Sequence, residues 1–110
     1  MHNGVCLAGV YEVIRTAILG RQQVVATYKG HRRELCPHVL GTKDGRCQAL
    51  FFQFGGGSST ALPRGCDWRC LPLDGLDDVV VRAGPWHTAG GLQELETCVD
   101  EIDVEVPRDL

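Results

Sequence analysis

Along this chain of 110 residues the spacing of hydrophobic positions changes once, at Gly20. Upstream, Val10, Val13, Ile14, Ala17 and Ile18 recur at steps of three and four, which gathers them on one face of a helix. The predicted helix runs from Ala8 to Leu19, with Gly20 as its stop and Arg21 beside it. Downstream the apolar runs are short. Gln22 to Tyr28, Arg32 to Cys36, Gln48 to Phe54, Cys66 to Leu73 and Asp78 to Arg82 are rich in Val, Leu and aromatic residues. Lys29-Gly30, Lys43-Asp44-Gly45, Gly55-Gly56-Gly57 and Asp74-Gly75 punctuate them as turns. Five short strands behind one helix predict a mainly β fold with one N-terminal helix, rolled into a small barrel or a strongly curved sheet. In the tail, Ile102, Val104 and Val106 point one way and Asp103 and Glu105 the other, an acidic edge strand that Pro107 would end.

A chain of this length holds one domain: a helix over about 8–20, a barrel over about 22–83 and a tail over about 84–110. With 44% hydrophobic and 23% charged residues it has an ordinary globular composition, which excludes disorder, collagen-like repeats and a heavily basic tail. The net charge of −3 hides an asymmetry. Residues 1–46 carry seven basic and three acidic side chains, a surplus of +4, and the remainder carries −7. No run approaches the roughly 18 apolar residues of a membrane span. The stretch Val5 to Val10 has no basic residues ahead of it and is too short for an export signal. The expectation is a cytoplasmic protein without membrane contact, its six cysteines reduced thiols packed as small core residues.

Several patterns could carry chemistry. Gly55-Gly56-Gly57-Ser58-Ser59 could cradle phosphate through backbone N–H groups, but phosphate loops lead into a helix, and Thr60 to Pro63 leads towards a strand. A flexible hairpin loop is the expectation. Cys36 with His38, and Cys66 with Cys70, suggest zinc. On an extended strand, however, the latter pair would stand about 13 Å apart, too far to share an ion unless a turn intervenes. His31, His38 and His87 could serve as a base for a cysteine nucleophile, yet no nucleophile elbow is present. The carboxylates at Asp77-Asp78 and from Asp100 to Asp103 read as a solvated acidic face. No catalytic residue, metal ligand or cofactor is therefore assigned. The cluster Lys29, His31, Arg32 and Arg33 beside Tyr28, with Trp68-Arg69 further on, has the cations and aromatics that hold phosphate and stack bases. It reads equally as a polar turn beside a core tryptophan.

The order of these features resembles the WYL domain over roughly residues 10–83. The matching stretches are the helix end Leu19-Gly20-Arg21, Val25-Ala26-Thr27-Tyr28, Arg33-Glu34-Leu35-Cys36-Pro37-His38, Asp44-Gly45-Arg46-Cys47-Gln48-Ala49-Leu50-Phe51 and Trp68-Arg69-Cys70-Leu71-Pro72-Leu73-Asp74-Gly75-Leu76. The resemblance implies a small Sm-like or SH3-like β-barrel behind a helix. It also implies a bacterial ligand-sensing module of the kind found beside winged-helix DNA-binding domains in transcriptional regulators, sensing nucleotides or nucleic acid. The triplet that names the family falls at Gln48-Ala49-Leu50, where only the leucine is kept. In the late motif Arg69 and Asp74 are kept, while Pro72 and Gly75 replace two arginines. Each lost cation should weaken phosphate binding by roughly 1 kcal/mol or more.

The reading that follows is a small regulatory module binding a nucleotide, single-stranded nucleic acid or another anion through Tyr28, His31, Arg33 and Arg69. Strand alternation puts Arg69 on the side of Leu71 and Leu73, where it either marks the end of the barrel or meets an acid. The alternatives are a protein-interaction module, docking on a partner or on a second copy as a homodimer, and a zinc or thiol protein.

Overall fold

The computed structural model of the chain describes residues 8–57, 67–89 and 98–106. Helix α1 (Ala8–Gly20) precedes strands β1 (Gln23–Tyr28), β2 (His31–Lys43), β3 (Arg46–Gly56) and β4 (Asp67–Pro72). A one-turn 3-10 helix (Leu73–Gly75) then leads into β5 (Leu76–Arg82), and β6 (Glu101–Glu105) closes the described chain. Helix α1 ends on a Schellman pair, with Arg21 N–H donating to the Ile18 carbonyl at 3.2 Å and Gln22 N–H to that of Ala17 at 2.8 Å. The left-handed residue there is Arg21, at φ 50°, while Gly20 still belongs to the helix.

All strands pair antiparallel in the order β4-β3-β2-β1-β5, with β6 on the far half of β2. The sheet is not closed into the expected barrel: β4 and β5 do not pair with each other. Two tight hairpins fix the register. Lys29 and Gly30 have φ of 51° and 79°, and Asp44 and Gly45 have φ of 52° and 80°. Two successive positive φ values are what a two-residue turn needs to match the twist of its strands.

Strand β2 is much longer than the alternation at Arg32 to Cys36 predicts, because it continues through Pro37 to Lys43. Proline normally interrupts a strand; here the β2–β3 register shifts between Pro37 and Val39, so the missing N–H falls at an irregularity. The extra length lets β1 pair with residues 31–35 while β6 pairs with residues 39–42. The tail strand thus forms as expected, with a difference in its facing. A register shift between Leu40 and Gly41 turns Asp103 towards the helix, where its carboxylate accepts from the Tyr11 hydroxyl and meets Arg15 at 3.5 Å. Ile102 is left 54% exposed, while Val104 and Val106 pack on the core.

The sheet has two buried faces. On the core face, Ile14, Ala17 and Ile18 of the helix pack against Val24, Leu35 and Phe51, all fully buried. Removing each large side chain from water contributes roughly 1.5–3 kcal/mol. On the outer face, Leu50 and Trp68 pack with Cys98, Val99 and Val39. There the cysteines depart from expectation. Cys70 and Cys98 form a disulfide across a sequence separation of 28, tying the approach to β6 onto β4. Cys47 is disulfide-bonded as well, and among the described residues Cys36 is the free cysteine. The expectation of reduced thiols rests on a cytoplasmic location; the Cys70–Cys98 pairing depends on strands brought together only by the fold.

Candidate anion site

Strand alternation divides the basic cluster between the two faces. Tyr28 pairs with His31 and Ala26 with Arg33 across the β1–β2 hairpin, so Tyr28, His31 and Arg33 project from the face of the buried Ala26. Arg69 pairs with Phe51 and projects from that same face. The four predicted contacts therefore lie on one side of the sheet, at one end of its core. Arg32 points the other way, to Glu34 at 3.5 Å, which also receives Arg82 at 2.7 Å. Lys29, at the hairpin tip, places its ammonium 5.5 Å from the Tyr28 ring centre. Trp68 does not join Arg69, because neighbouring strand residues face opposite ways.

Arg33 is only 3% exposed. Its Nη1 donates to Gln53 Oε1 at 3.4 Å, its Nη2 to the Tyr28 carbonyl at 3.2 Å, and its guanidinium carbon lies 5.0 Å from the Tyr28 ring centre. Gln53, fully buried, donates to the carbonyls of Gly55 and Gly57, both at 2.9 Å. The glycine run is thus no flexible loop over residues 55–57. Gly55 and Gly56 end β3, and Gly57 N–H donates to the Arg32 carbonyl at 2.9 Å. Gly56 has φ 86°, and a Cβ there would stand 2.2 Å from the Arg32 carbonyl oxygen, so the close approach to β2 demands glycine. Ser58 and Ser59 lie outside the described residues. His31 sits against Gly57, and Gly75 leaves room for the Tyr28 ring.

The electrostatics of this corner are unbalanced. Nε of Arg33 and both Nε and Nη2 of Arg69 are buried without a hydrogen-bond acceptor. Among the described residues no carboxylate pairs with either guanidinium. Burial, and then the Arg69 charge, pull the Arg33 pKa below its ordinary value. Each buried donor left without a partner costs about 1–3 kcal/mol. Arg69 is only partly buried, so the corner reaches the surface along that side chain.

A second polar cluster, on the outer face, has the opposite character. His38 is buried, with Nδ1 hydrogen-bonded to the Cys36 carbonyl at 2.8 Å and Nε2 to Thr88 Oγ1 at 3.0 Å. Its ring meets Trp68 edge-on at 4.7 Å and Trp86 at 4.9 Å. Burial holds its pKa below the usual range. The Cys36 thiol is pushed up by burial and accepts from the His87 backbone N–H at 3.3 Å. A thiol kept protonated in this way is a poor nucleophile. Of the zinc candidates, Cys70 is committed to its disulfide and Cys66 lies outside the described residues. No group of three or more His, Cys, Asp or Glu among the described residues is placed to hold a metal.

No protein-family model, no curated protein and no solved structure matches the chain. The likeness to the WYL domain therefore rests on the quoted residues alone. Among the described residues, no helix is long and apolar enough to cross a membrane.

Proposed function

We propose that the chain is a small regulatory module that binds an anionic ligand, of the nucleotide or nucleic-acid class, on the core face beside Arg33 and Arg69. The observation that carries this reading is that two neighbouring guanidiniums keep buried N–H atoms without acceptors, Nε of Arg33 and Nε and Nη2 of Arg69. Buried polar groups are nearly always satisfied, and an anion with several acceptor oxygens would satisfy these. Tyr28 beside Arg33 adds an aromatic face, and His31 and Lys29 add cationic capacity at the rim. The strand order with a 3-10 turn before β5 supports the finer architectural reading, an open Sm-like or SH3-like barrel, as the WYL resemblance implies. The test is a titration with a short single-stranded oligonucleotide and with a nucleotide at low and moderate salt. Binding that weakens with salt and is lost in Arg69→Met supports the reading; no binding at low salt removes it.

A disulfide joins Cys70 to Cys98. Disulfides persist where thiols are oxidised, so we place the module in an oxidising compartment rather than the cytoplasm. A second reading, self-association, draws on β5, whose outer edge pairs with no strand among the described residues and whose Val80 is 58% exposed. Asp77 and Asp78 on that strand are charges of the kind that blunt such edges. Light scattering on the eluting protein tests it, and a clean monomer leaves only docking on a different partner.

A further inference from the structure

The distribution of partnered and unpartnered cations restricts what kind of anion the corner can take. A strand of nucleic acid needs a track of free cations several phosphates long, because each backbone phosphate it neutralises adds affinity. Around the described sheet the cations are mostly spoken for. Arg15 meets Asp103, Lys43 meets Asp100, and Arg32 and Arg82 share Glu34. Arg46 stands at the β2–β3 turn, opposite Lys43 and therefore at the far end of the long hairpin from Arg33, which lies opposite Gly56. What is left at the site is compact: the Arg33 and Arg69 guanidiniums, with Lys29 at the rim.

The unpartnered donors fit the same conclusion. Nε of Arg33 and Nε and Nη2 of Arg69 are three N–H-bearing atoms on two planar groups held within each other's field. Unmatched N–H atoms on two neighbouring guanidiniums suit a group with several acceptor oxygens on one centre, which can accept from both arginines at once. The burial of these atoms favours an end over a middle: a terminal group can enter with its oxygens forward, whereas a diester must bring chain in on both sides. Tyr28, already stacked by Arg33, provides one aromatic surface for whatever the terminal group is attached to.

From these observations, and resting on the anion-binding reading above, we infer that the site takes a terminal phosphate monoester, such as a nucleoside monophosphate or a phosphorylated strand end, held between Arg33 and Arg69. Lys29 faces the outer oxygens. The bonds are charge-assisted and reversible, and no covalent step is involved. The interior of an unphosphorylated strand offers only diesters, and these do not reach both arginines.

The full chain, with its disulfides intact, is titrated by calorimetry with inorganic phosphate, a nucleoside monophosphate, and one short oligonucleotide with either a 5′-phosphate or a 5′-hydroxyl end. The expected result is one-to-one binding of the 5′-phosphorylated strand and the monophosphate, at least tenfold tighter than the 5′-hydroxyl strand. Binding of inorganic phosphate as tightly as the monophosphate identifies free phosphate as the source and still supports the headgroup. Salt dependence should correspond to about two or three charges, not to a long track. Arg69→Met and Lys29→Ala should weaken binding, the first at least tenfold, while Arg32→Ala, on the other face, should not. Arg69→Lys, which keeps the charge but loses the fork, should fall between, and it supplies the answer if Arg69→Met fails to fold. Equal binding of the two strand ends overturns the monoester proposal and leaves the anion site standing. Absence of binding by every probe at low salt overturns both.

Discussion

The two faces of one sheet bury polar groups in opposite ways. On the outer face His38 is enclosed by Trp68 and Trp86, and each of its ring nitrogens has a partner. On the core face Arg33 and Arg69 are brought together with donors unmet and charges of one sign. The first arrangement is complete within the chain, as structural polar networks are. The second leaves buried donors without acceptors among the described residues, which is a drain on stability and the basis of the anion-binding proposal. Burial alone does not tell a ligand site from a structural histidine; satisfaction of the buried atoms does.

The contrast can be broken by mutation, and the largest effects should come from the complete face. His38→Ala removes two hydrogen bonds, one of them buried, and two aromatic contacts and should cost about 3 kcal/mol in denaturant unfolding. Replacing Cys70 and Cys98 together by serine opens the covalent tie beside it and should also cost about 3 kcal/mol. The incomplete face should respond with the opposite sign. Arg69→Met removes buried donors without acceptors and one of two like charges, and should raise stability by about 1 kcal/mol while abolishing anion binding. A loss of several kcal/mol would show Arg69 to be structural and put the two faces in one class.

Acid should distinguish the faces further. The folded protein holds His38 below its ordinary pKa of 6.5, so the unfolded chain binds the proton more readily. The stability contributed by the neutral ring is present above pH 6.5 and is lost as pH falls from there through the folded value. Wild type should therefore lose more stability between pH 7 and pH 5 than His38→Gln does, measured by chemical unfolding at both pH values. The smallest effect lies at the helix, where burial and the Asp103 carboxylate raise the Tyr11 pKa from 10.0 to about 12. That contact stabilises below pH 10 and is lost between pH 10 and 12. Tyr11→Phe should cost roughly 0.5–1 kcal/mol at neutral pH and remove this alkaline dependence.

How legible was the site beforehand? Tyr28, His31, Arg33 and Arg69 could be named because cations beside aromatics stand out, and alternation already placed Arg69 on the side of Leu71. Whether an acid meets Arg69 there is not legible in the sequence, because the groups it approaches, such as Arg33, are far away along the chain. The same alternation separates Trp68 from Arg69, and Arg32 from Arg33 as well. The role of Gln53 had no signal, because a polar residue in an apolar strand is ambiguous until its partners, here Arg33, Gly55 and Gly57, are known.

By itself the sequence determined the local features: a helix with one buried stripe, two hairpins closed at Lys29-Gly30 and Asp44-Gly45, and the facing of strand residues wherever no register shift intervenes. These depend on φ preferences and on periods of 3.6 and 2, which operate within a few residues. Tertiary structure alone decided the continuation of β2 past Pro37, the pairing of Cys70 with Cys98, the satisfied enclosure of His38 and the meeting of Arg33 with Arg69. Each joins residues far apart in the chain. Such contacts form only when a shared hydrophobic core holds the strands in register, and a local pattern carries no information about which distant group will be there.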